Sequence, residues 1–335
     1  MLDVLSEAFG HDPRDERFQK RLPHCTPYPD RATESDYANH LICLVDGEIA
    51  GLLGAYPLDL AVKYGNAERI VRAFGIGQVC CLPKYRNRGV MTALMNAAHE
   101  KMLKKERTVG LLFGDRARYG HFGYDFAGGV IRFQINMKDL MESFDNIISP
   151  DLEMRHCGVA DIDAMTKAYQ TLPSRILRSE DRWKLHISRP TEKWYIGRIG
   201  DEYAYFAHKT GYVSRKPVSQ AVIEEACGSP RVLFAMLCSH MEDIDAESVQ
   251  IKYPATEKAD TLSRMLYSHA SQIDLHNKAL FALIDADGLL HDLGVILSDG
   301  EDAETVARDI MRYSHDPERG NREELNFWFA GADNI

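Results

Sequence analysis

Lys84-Tyr85-Arg86-Asn87-Arg88-Gly89-Val90-Met91 follows an apolar run that ends Val79-Cys80-Cys81-Leu82, and it opens a stretch with Val90, Met91, Leu94, Met95, Ala98 and Met102 at helical spacing. The order of strand, basic turn and helix decides the fold class. Lys84, Arg86 and Arg88 place three cations within five residues at the start of that helix. A helix N-terminus offers unpaired backbone N–H groups and the positive end of its dipole, so a phosphate fits there. Gly89 lets the backbone approach such a ligand, and Arg86 and Arg88 add guanidinium forks that match phosphate oxygens. A solvated basic turn ahead of a helix accounts for the octapeptide equally well, so its surroundings must decide.

Working outward, Leu41 to Val45 and Ile49 to Ala55 read as two strands joined at Asp46-Gly47. Leu58 to Tyr64 and Arg69 to Phe74 suggest a further hairpin turning at Gly65-Asn66 and leading into Gly75 to Leu82. After the helix, with Lys104 and Lys105 at its C-terminal end, Thr108 to Phe113 reads as a buried strand. Gly114 to Gly123 reads as a turn or short helix, and Val130 to Asn136 as an alternating strand. The polar stretch from Lys138 to Asp151 marks a domain boundary. Beyond it lie a strand at Leu152 to Arg155, a helix at Val159 to Tyr169, a hairpin turning at Gly200-Asp201, a strand at Val218 to Ala226 and a helix at Arg231 to Met241. A strand at Val249 to Tyr253, a helix at Asp260 to Tyr267 and a strand at Ala279 to Ile284 follow. The second half repeats the first in outline with little identity, which suggests duplication. The N-terminus begins with helical periodicity at Leu2, Val4, Leu5 and Ala8, and His11 to Asn39 is polar and loop-rich.

The 335 residues give a length prior of two domains, and 45% apolar with 27% charged residues excludes disorder and fibrous structure. A formal charge of -10, from 40 Lys+Arg against 50 Asp+Glu, disfavours a nucleic-acid partner. Apolar stretches are too short to span a bilayer, which needs about 20 residues, so no membrane is expected. Met1-Leu2-Asp3 does not open a secretory leader, and a cytoplasmic location is expected. Seven cysteines, an odd number without C-x-x-C, disfavour disulfides and structural zinc; the histidines form no metal motif, so no metal is expected. Gly75-Ile76-Gly77 lacks the third glycine and the following helix of a dinucleotide fingerprint, and no P-loop motif occurs.

The strand Gly77-Gln78-Val79-Cys80-Cys81-Leu82-Pro83, the Arg86-x-x-Gly89 turn, the helix, the next strand and then Tyr119-Gly120-His121-Phe122-Gly123-Tyr124 together resemble the GNAT superfamily of N-acetyltransferases. The Arg-x-Arg-Gly turn and the Tyr-Gly-x-Phe-Gly-Tyr element look like the Eis branch, whose members carry tandem GNAT-like domains. The core similarity covers residues 40–136 and its weaker continuation reaches 290. Departures are Met91, where the superfamily places Gly or Ala, and a helix where its first strand stands. Only residues 291–335 follow Leu290, too few for the branch's sterol-carrier-like domain, whose terminal carboxylate takes part in proton transfer, and this speaks against the Ile335 carboxylate as base.

The resemblance implies an α/β (α+β) fold of two tandem GNAT-like domains, each a mixed, centrally splayed sheet flanked by helices. It implies a catalytic acetyl-CoA-binding domain at 1–140, a degenerate GNAT-like domain at 151–290, and a short C-terminal extension at 291–335. Pantetheine would lie along the backbone of Val79, Cys80 and Cys81. The pyrophosphate would take N–H groups from Arg86, Asn87, Arg88, Gly89, Val90, Met91 and Thr92, and Gly114 and Asp115 would flank the thiol. Tyr119 would be the proton donor to the departing sulfur, with Phe122 and Tyr124 packing. Gln78 stands where some GNAT enzymes carry a carboxylate base, so the base is unassigned, with His121 or Asp115 acting through water as candidates.

Cys80 and Cys81 as covalent acyl acceptors have no recognisable His/Asp partner and read as strand cysteines. Ser229-Pro230 in the second half reads as a helix cap and first helical residue without a basic cluster. Trp183, Trp194 and Trp328 read as packing residues. The expected activity is acetyl-CoA-dependent N-acetylation of a primary amine on a cationic small molecule or lysine side chain. The alternative is a non-catalytic acyl-CoA-binding protein that keeps the groove. The expectation leaves room for a homo-oligomer.

Overall fold

The structure is a computed structural model that describes residues 2–10, 37–143, 151–189, 192–209, 220–255, 260–276 and 279–311. Most of the polar stretch after His11, together with Trp328 and Ile335, lies outside them. The chain begins with α1 (Leu2–Phe9), β1 (His40–Val45), β2 (Glu48–Tyr64), β3 (Ala67–Cys81) and α2 (Val90–Lys104). It continues through β4 (Val109–Phe113), α3 (Arg116–Tyr119), β5 (Asp125–Phe126), β6 (Val130–Asn136), α4 (Met137–Ser143) and β7 (Glu153–His156). Next come α5 (Ile162–Tyr169), β8 (Ser174–Ile176), α6 (Glu180–Ser188), β9 (Glu192–Ile199), β10 (Glu202–Lys209), β11 (Gln220–Gly228) and α7 (Pro230–Asp243). The last elements are β12 (Ser248–Pro254), α8 (Thr261–His269), β13 (Gln272–His276), β14 (Ala279–Leu283), α9 (Ala286–Leu293) and α10 (Ala303–Met311). The fold is mixed α/β with two separate sheets, as expected.

Two compact units emerge. The first holds Met1–Gly128 and Lys278–Leu325, the second Gly129–Asn277. The division expected at 140/151 therefore moves to 128/129, and the first unit is discontinuous. Strand pairing is the cause. Val130 to Asn136 alternates as expected, but it pairs antiparallel with β12 and β13 in the second sheet. Its place in the first sheet is taken by β14, which pairs antiparallel with β4 and β5. Within the described part of the expected C-terminal extension, residues 291–311, Leu293, Val306, Ala307, Ile310 and Met311 are buried. The carboxylate of Asp292 accepts from Arg72 Nε of β3 at 3.0 Å, which ties α9 to the sheet.

In the first unit the order is β1-β2-β3-β4-β14-β5, and along this path β3 and β4 run parallel while the other neighbours run antiparallel. The hairpin expected at Asp46-Gly47 forms between β1 and β2, while Ile49 to Ala55 and Leu58 to Tyr64 merge into the single strand β2, whose register with β3 runs from Gly51 opposite Cys81 to Tyr64 opposite Ala67. The helix α2 forms where its periodicity places it and buries Val90, Leu94, Met95, Ala98 and Met102.

The second unit carries a seven-stranded sheet in the order β13-β6-β12-β11-β10-β9-β7. At its centre Arg178 and Glu225, both with fully buried side chains, pair at 2.6 Å, and the hydroxyl of Tyr205 donates to Glu225 at 2.7 Å. The Arg178 guanidinium lies 4.0 Å from the ring centroid of Tyr169 and 4.4 Å from that of Trp183. Aromatic faces replace part of the lost hydration of a buried cation. Trp183 and Trp194 belong to this core, as the sequence suggests.

Removing one partner of a buried pair leaves an uncompensated charge. Glu225→Ala is expected to lower unfolding free energy by about 3–5 kcal/mol, read as a lower urea midpoint.

Candidate active site

The parallel pairing of β3 with β4 ends at Ile76 opposite Leu112, although both strands continue. From there they part. On the other side, β3 keeps its pairing with β2, but Gly54 faces Gly77 and Leu52 faces Cys80, so β3 carries one extra residue. That is a β-bulge, and Gln78 within it takes φ 54, a left-handed conformation costly for a residue with a side chain. The bulge turns Val79, Cys80 and Cys81 away from β4 and along the opening.

A cavity of about 680 Å³ lies against this opening. Val79, Cys80 and Cys81 line it from the strand, Arg86, Asn87 and Gly89 from the turn, and Val90, Met91 and Thr92 from the first residues of α2. Ala8, Phe9, Tyr85 and Arg118 also line it, and the sequence reading did not single them out. The apolar end of α1 was visible as periodicity, but its approach to the turn is a long-range contact that no local pattern encodes. Gly51 explains how α2 comes so close to the sheet: a Cβ there would stand 2.7 Å from Val90 Cγ1.

The turn is shaped for an anion. Asn87 and Gly89 take φ 60 and 76, and Gly89 is the N-cap of α2 without a side chain to bond the first N–H groups. Those groups are open to a ligand. The three cations differ in placement. Lys84 donates to Glu48 at 2.6 Å, where Tyr85 also donates, and the ammonium pulls the Glu48 carboxyl below its ordinary range. Arg88 stands 3.9 Å from Asp46 and outside the cavity lining, leaving Arg86 as the turn's cation on the cavity wall.

Across the opening, Gly114 follows β4, and a Cβ there would collide with Cε2 of Tyr119. The Tyr119 ring therefore covers the end of β4. It is 8% exposed, and burial pushes its phenol above the ordinary range, partly opposed by Arg118. A phenol protonated at neutral pH can donate. Asp115 is exposed and caps α3, accepting from Ala117 N at 2.9 Å, and His121 is exposed in the next turn. Gly114, Asp115, Tyr119 and His121 stand outside the lining of the cavity. Tyr124 is buried, with its hydroxyl 3.4 Å from His99 Nε2, a packing position.

Burial raises both strand thiols, Cys80 to about 11 and Cys81 by direction, the latter partly opposed by Arg86. Both therefore stay protonated near neutral pH, which does not suit a covalent acyl carrier. Among the described residues no group of His, Cys, Asp or Glu is arranged to hold a metal ion, and no helix is long and apolar enough to cross a membrane.

The second sheet has a related parting with a different content. The parallel pairing of β11 with β12 ends at Ile223 opposite Ile251. Glu224, next on β11, accepts from Lys209 at 3.1 Å and from Lys252, the next residue on β12, so an ion pair spans the gap. The strand passes into α7 through Ser229 alone, whose hydroxyl accepts from Val232 N, with Pro230 at the first helical position. There is no turn to receive a phosphate.

Residues 1–127 match the family model of the acetyltransferase (GNAT) domain. No curated protein matches the sequence. Among solved structures, the chain is similar to a GCN5-related N-acetyltransferase from Kribbella flavida, at 17% identity over 86% of this chain and 68% of that one, with a TM-score of 0.63. It is similar to another from Anabaena variabilis at 16% identity, 85% and 70% coverage and a TM-score of 0.62. Eis1 from Mycobacterium abscessus gives 16% identity, 89% and 73% coverage and a TM-score of 0.59. At these identities the likeness concerns the fold.

Gly89→Asp sets a carboxylate and a strained backbone where an anion would lie, whereas Gly89→Asn tests the strain alone, since Asn tolerates the left-handed region. The aspartate is expected to weaken CoA binding by calorimetry at least about tenfold, about 1.4 kcal/mol, beyond the asparagine.

Proposed function

We propose that this chain, whose residues 1–127 match the acetyltransferase (GNAT) domain model, is an acyltransferase that moves an acetyl group from acetyl-CoA to a primary amine of a cationic small molecule or a lysine side chain. The observation that carries this reading is the cavity that joins the parted strand edge at Val79 to Cys81 with the open N-terminus of α2. An amide-bearing pantetheine chain can add to the free strand edge through backbone hydrogen bonds, which leaves side chains there free to vary. The pyrophosphate takes N–H groups at Gly89, Val90, Met91 and Thr92, and Arg86 adds a cation.

Transfer is by direct attack, because the protonated thiols of Cys80 and Cys81 do not offer an acyl-enzyme. The amine attacks the thioester carbonyl, and the C–S bond breaks as the thiolate gains a proton from Tyr119. The position of that phenol at the end of β4 and its raised pKa support the assignment. A cationic acceptor suits a chain with a formal charge of -10. The second unit serves as a non-catalytic copy, a reading supported by the ion pair in its gap.

Calorimetry is expected to give one acetyl-CoA per chain; two equivalent sites would contradict the reading of the second unit. Tyr119→Phe keeps the ring and loses the proton. Its kcat is expected to fall about 100-fold to 10,000-fold with little change in KM for acetyl-CoA, measured by free-thiol release with several amines. Near wild-type turnover would return Tyr119 to packing.

A further inference from the structure

The site cavity has a charge of its own, opposite in sign to that of the chain. Two guanidinium groups line it, Arg86 from the turn and Arg118 from α3, and no carboxylate does. Neither side chain is held in an ion pair or a hydrogen bond among the described residues. The contrast within α3 is sharp. Arg116 donates to both carboxylate oxygens of Asp125, at 2.6 and 3.0 Å, and lines a different cavity. Arg118, two residues on, is exposed and reaches the site cavity with nothing to neutralise it.

The two cations stand at different places along the opening. Arg86 belongs to the turn that leads into α2, and its charge acts on the Cys81 thiol of the strand edge. Arg118 precedes Tyr119, whose phenol feels its charge and whose ring covers Gly114 at the end of β4. In CoA every anionic group lies at the nucleotide end, and the pantetheine chain separates all of them from the sulfur. With the pyrophosphate at the turn and the sulfur at Tyr119, the 3′-phosphate sits beyond the pyrophosphate and away from Arg118. The cofactor therefore supplies no anion to this second cation. We infer that Arg118 binds a carboxylate carried by the acceptor, so that the acceptor joins a primary amine and a carboxylate in one molecule, as a free diamino acid does. This rests on the acetyl-transfer reading above and narrows its small-molecule acceptor to one class.

Electrostatics favours that class. An ammonium entering a cavity lined by two guanidinium groups meets like charge at close range, whereas the carboxylates of the outer surface act through screening solvent. A carboxylate in the same molecule offsets the repulsion and fits the guanidinium fork through two parallel hydrogen bonds. A diamino acid still carries net positive charge, so the acidic chain attracts it from a distance and Arg118 orients it on arrival. Its carboxylate fixes one end and leaves a nitrogen to reach the thioester. That nitrogen gains the acetyl group, the sulfur loses it and takes a proton, and the carboxylate stays ionised on Arg118. Summed, an ammonium and acetyl-CoA give an amide, CoA thiol and one proton released to water. Arg118 thus determines specificity and moves no proton.

The test uses lysine with cadaverine and ornithine with putrescine, pairs that differ by the carboxylate alone. Free-thiol release from acetyl-CoA gives kcat/KM for each in wild type, Arg118→Gln and Arg118→Lys. Wild type is expected to favour the amino acid over its diamine by about tenfold or more, because the diamine lacks the charge-assisted pair. Arg118→Gln is expected to abolish that preference through the KM of the amino acid, and Arg118→Lys to keep part of it, as a point charge without the fork. The ratio is the readout because loss of a cation beside Tyr119 acts on both members of a pair alike. Both variants are expected to bind CoA as wild type does by calorimetry. A wild type that favours amines without a carboxylate, or a ratio that Arg118→Gln leaves unchanged, would overturn the assignment and leave amine transfer standing. A loss of CoA affinity in Arg118→Gln that disappears with dephospho-CoA would move Arg118 to the 3′-phosphate and overturn it too. Succinyl transfer from succinyl-CoA to a diamine that outruns acetyl transfer in wild type and fails in Arg118→Gln would place the carboxylate on the acyl group instead of the acceptor, again overturning it. A wild type that binds CoA yet releases no thiol with any primary amine would overturn both readings.

Discussion

Everything at the site follows from the parting of β3 and β4 after Ile76 and Leu112. A backbone edge that leaves its neighbour still carries donors and acceptors that need partners. Here the edge from Val79 to Cys81 keeps β2 on one side and turns its other side to a cavity. The extra residue at Gln78 keeps the strands apart, because it rotates the following backbone off the line that would rejoin β4. The cost of φ 54 at Gln78 is set against its hydrogen bonds to His40 and Tyr56. Packing of Val90 over Gly51 then brings the N-terminus of α2 to the mouth of the same opening. A groove for an extended amide and a seat for an anion thus come from one backbone event.

The second sheet shows what happens when a similar parting is not kept open. Glu224 and Lys252 are the first residues past the last parallel pair on their strands, and they bond each other across the gap. Lys209 adds a second cation to the same carboxylate, which burial alone would push up but which the two ammoniums hold below its ordinary range. An incoming strand-like ligand would have to break this cluster and leave a buried carboxylate behind, at a cost of about 3–5 kcal/mol. The side chains of this gap bond one another, while the strand past the parting in the first sheet lines a cavity.

Local pattern made much of this legible. The periodicity of α2, the Asp46-Gly47 turn and the glycine at the start of α2 all act over a few residues, and each falls where the sequence places it. Arg86 through Thr92 were readable as a basic turn into a helix N-terminus because both features are local. The fates of Lys84 and Arg88 were not, since Glu48 and Asp46 reach them from another strand pair. The contacts among His40, Tyr56 and Gln78 escaped for the same reason, since they form through a cross-sheet register from Gly54 to Gly77 that nothing adjacent in sequence marks. Val130 to Asn136 carried an unmistakable alternation, yet alternation says which face is buried and not which strand lies alongside.

The non-local pairing also constrains how the site can form. Strand β4 bears Gly114 at its end and supplies the wall that Tyr119 covers, and its outer edge is closed by β14. Residues 279–283 arrive only after the whole second unit has been made. Until then β4 has β3 on one side over only Ala73 to Ile76, and an open edge on the other. Loop closure over so long a segment must be completed before this contact rewards it, which makes the pairing a late one. The Arg72 and Thr108 contacts of Asp292 follow directly after β14 and fix α9 against β3 and β4. A lip of the groove built by the first half of the sequence is therefore held in place by the second, and the two halves of the chain cannot be separated at residue 140 without leaving β4 unpaired on that edge.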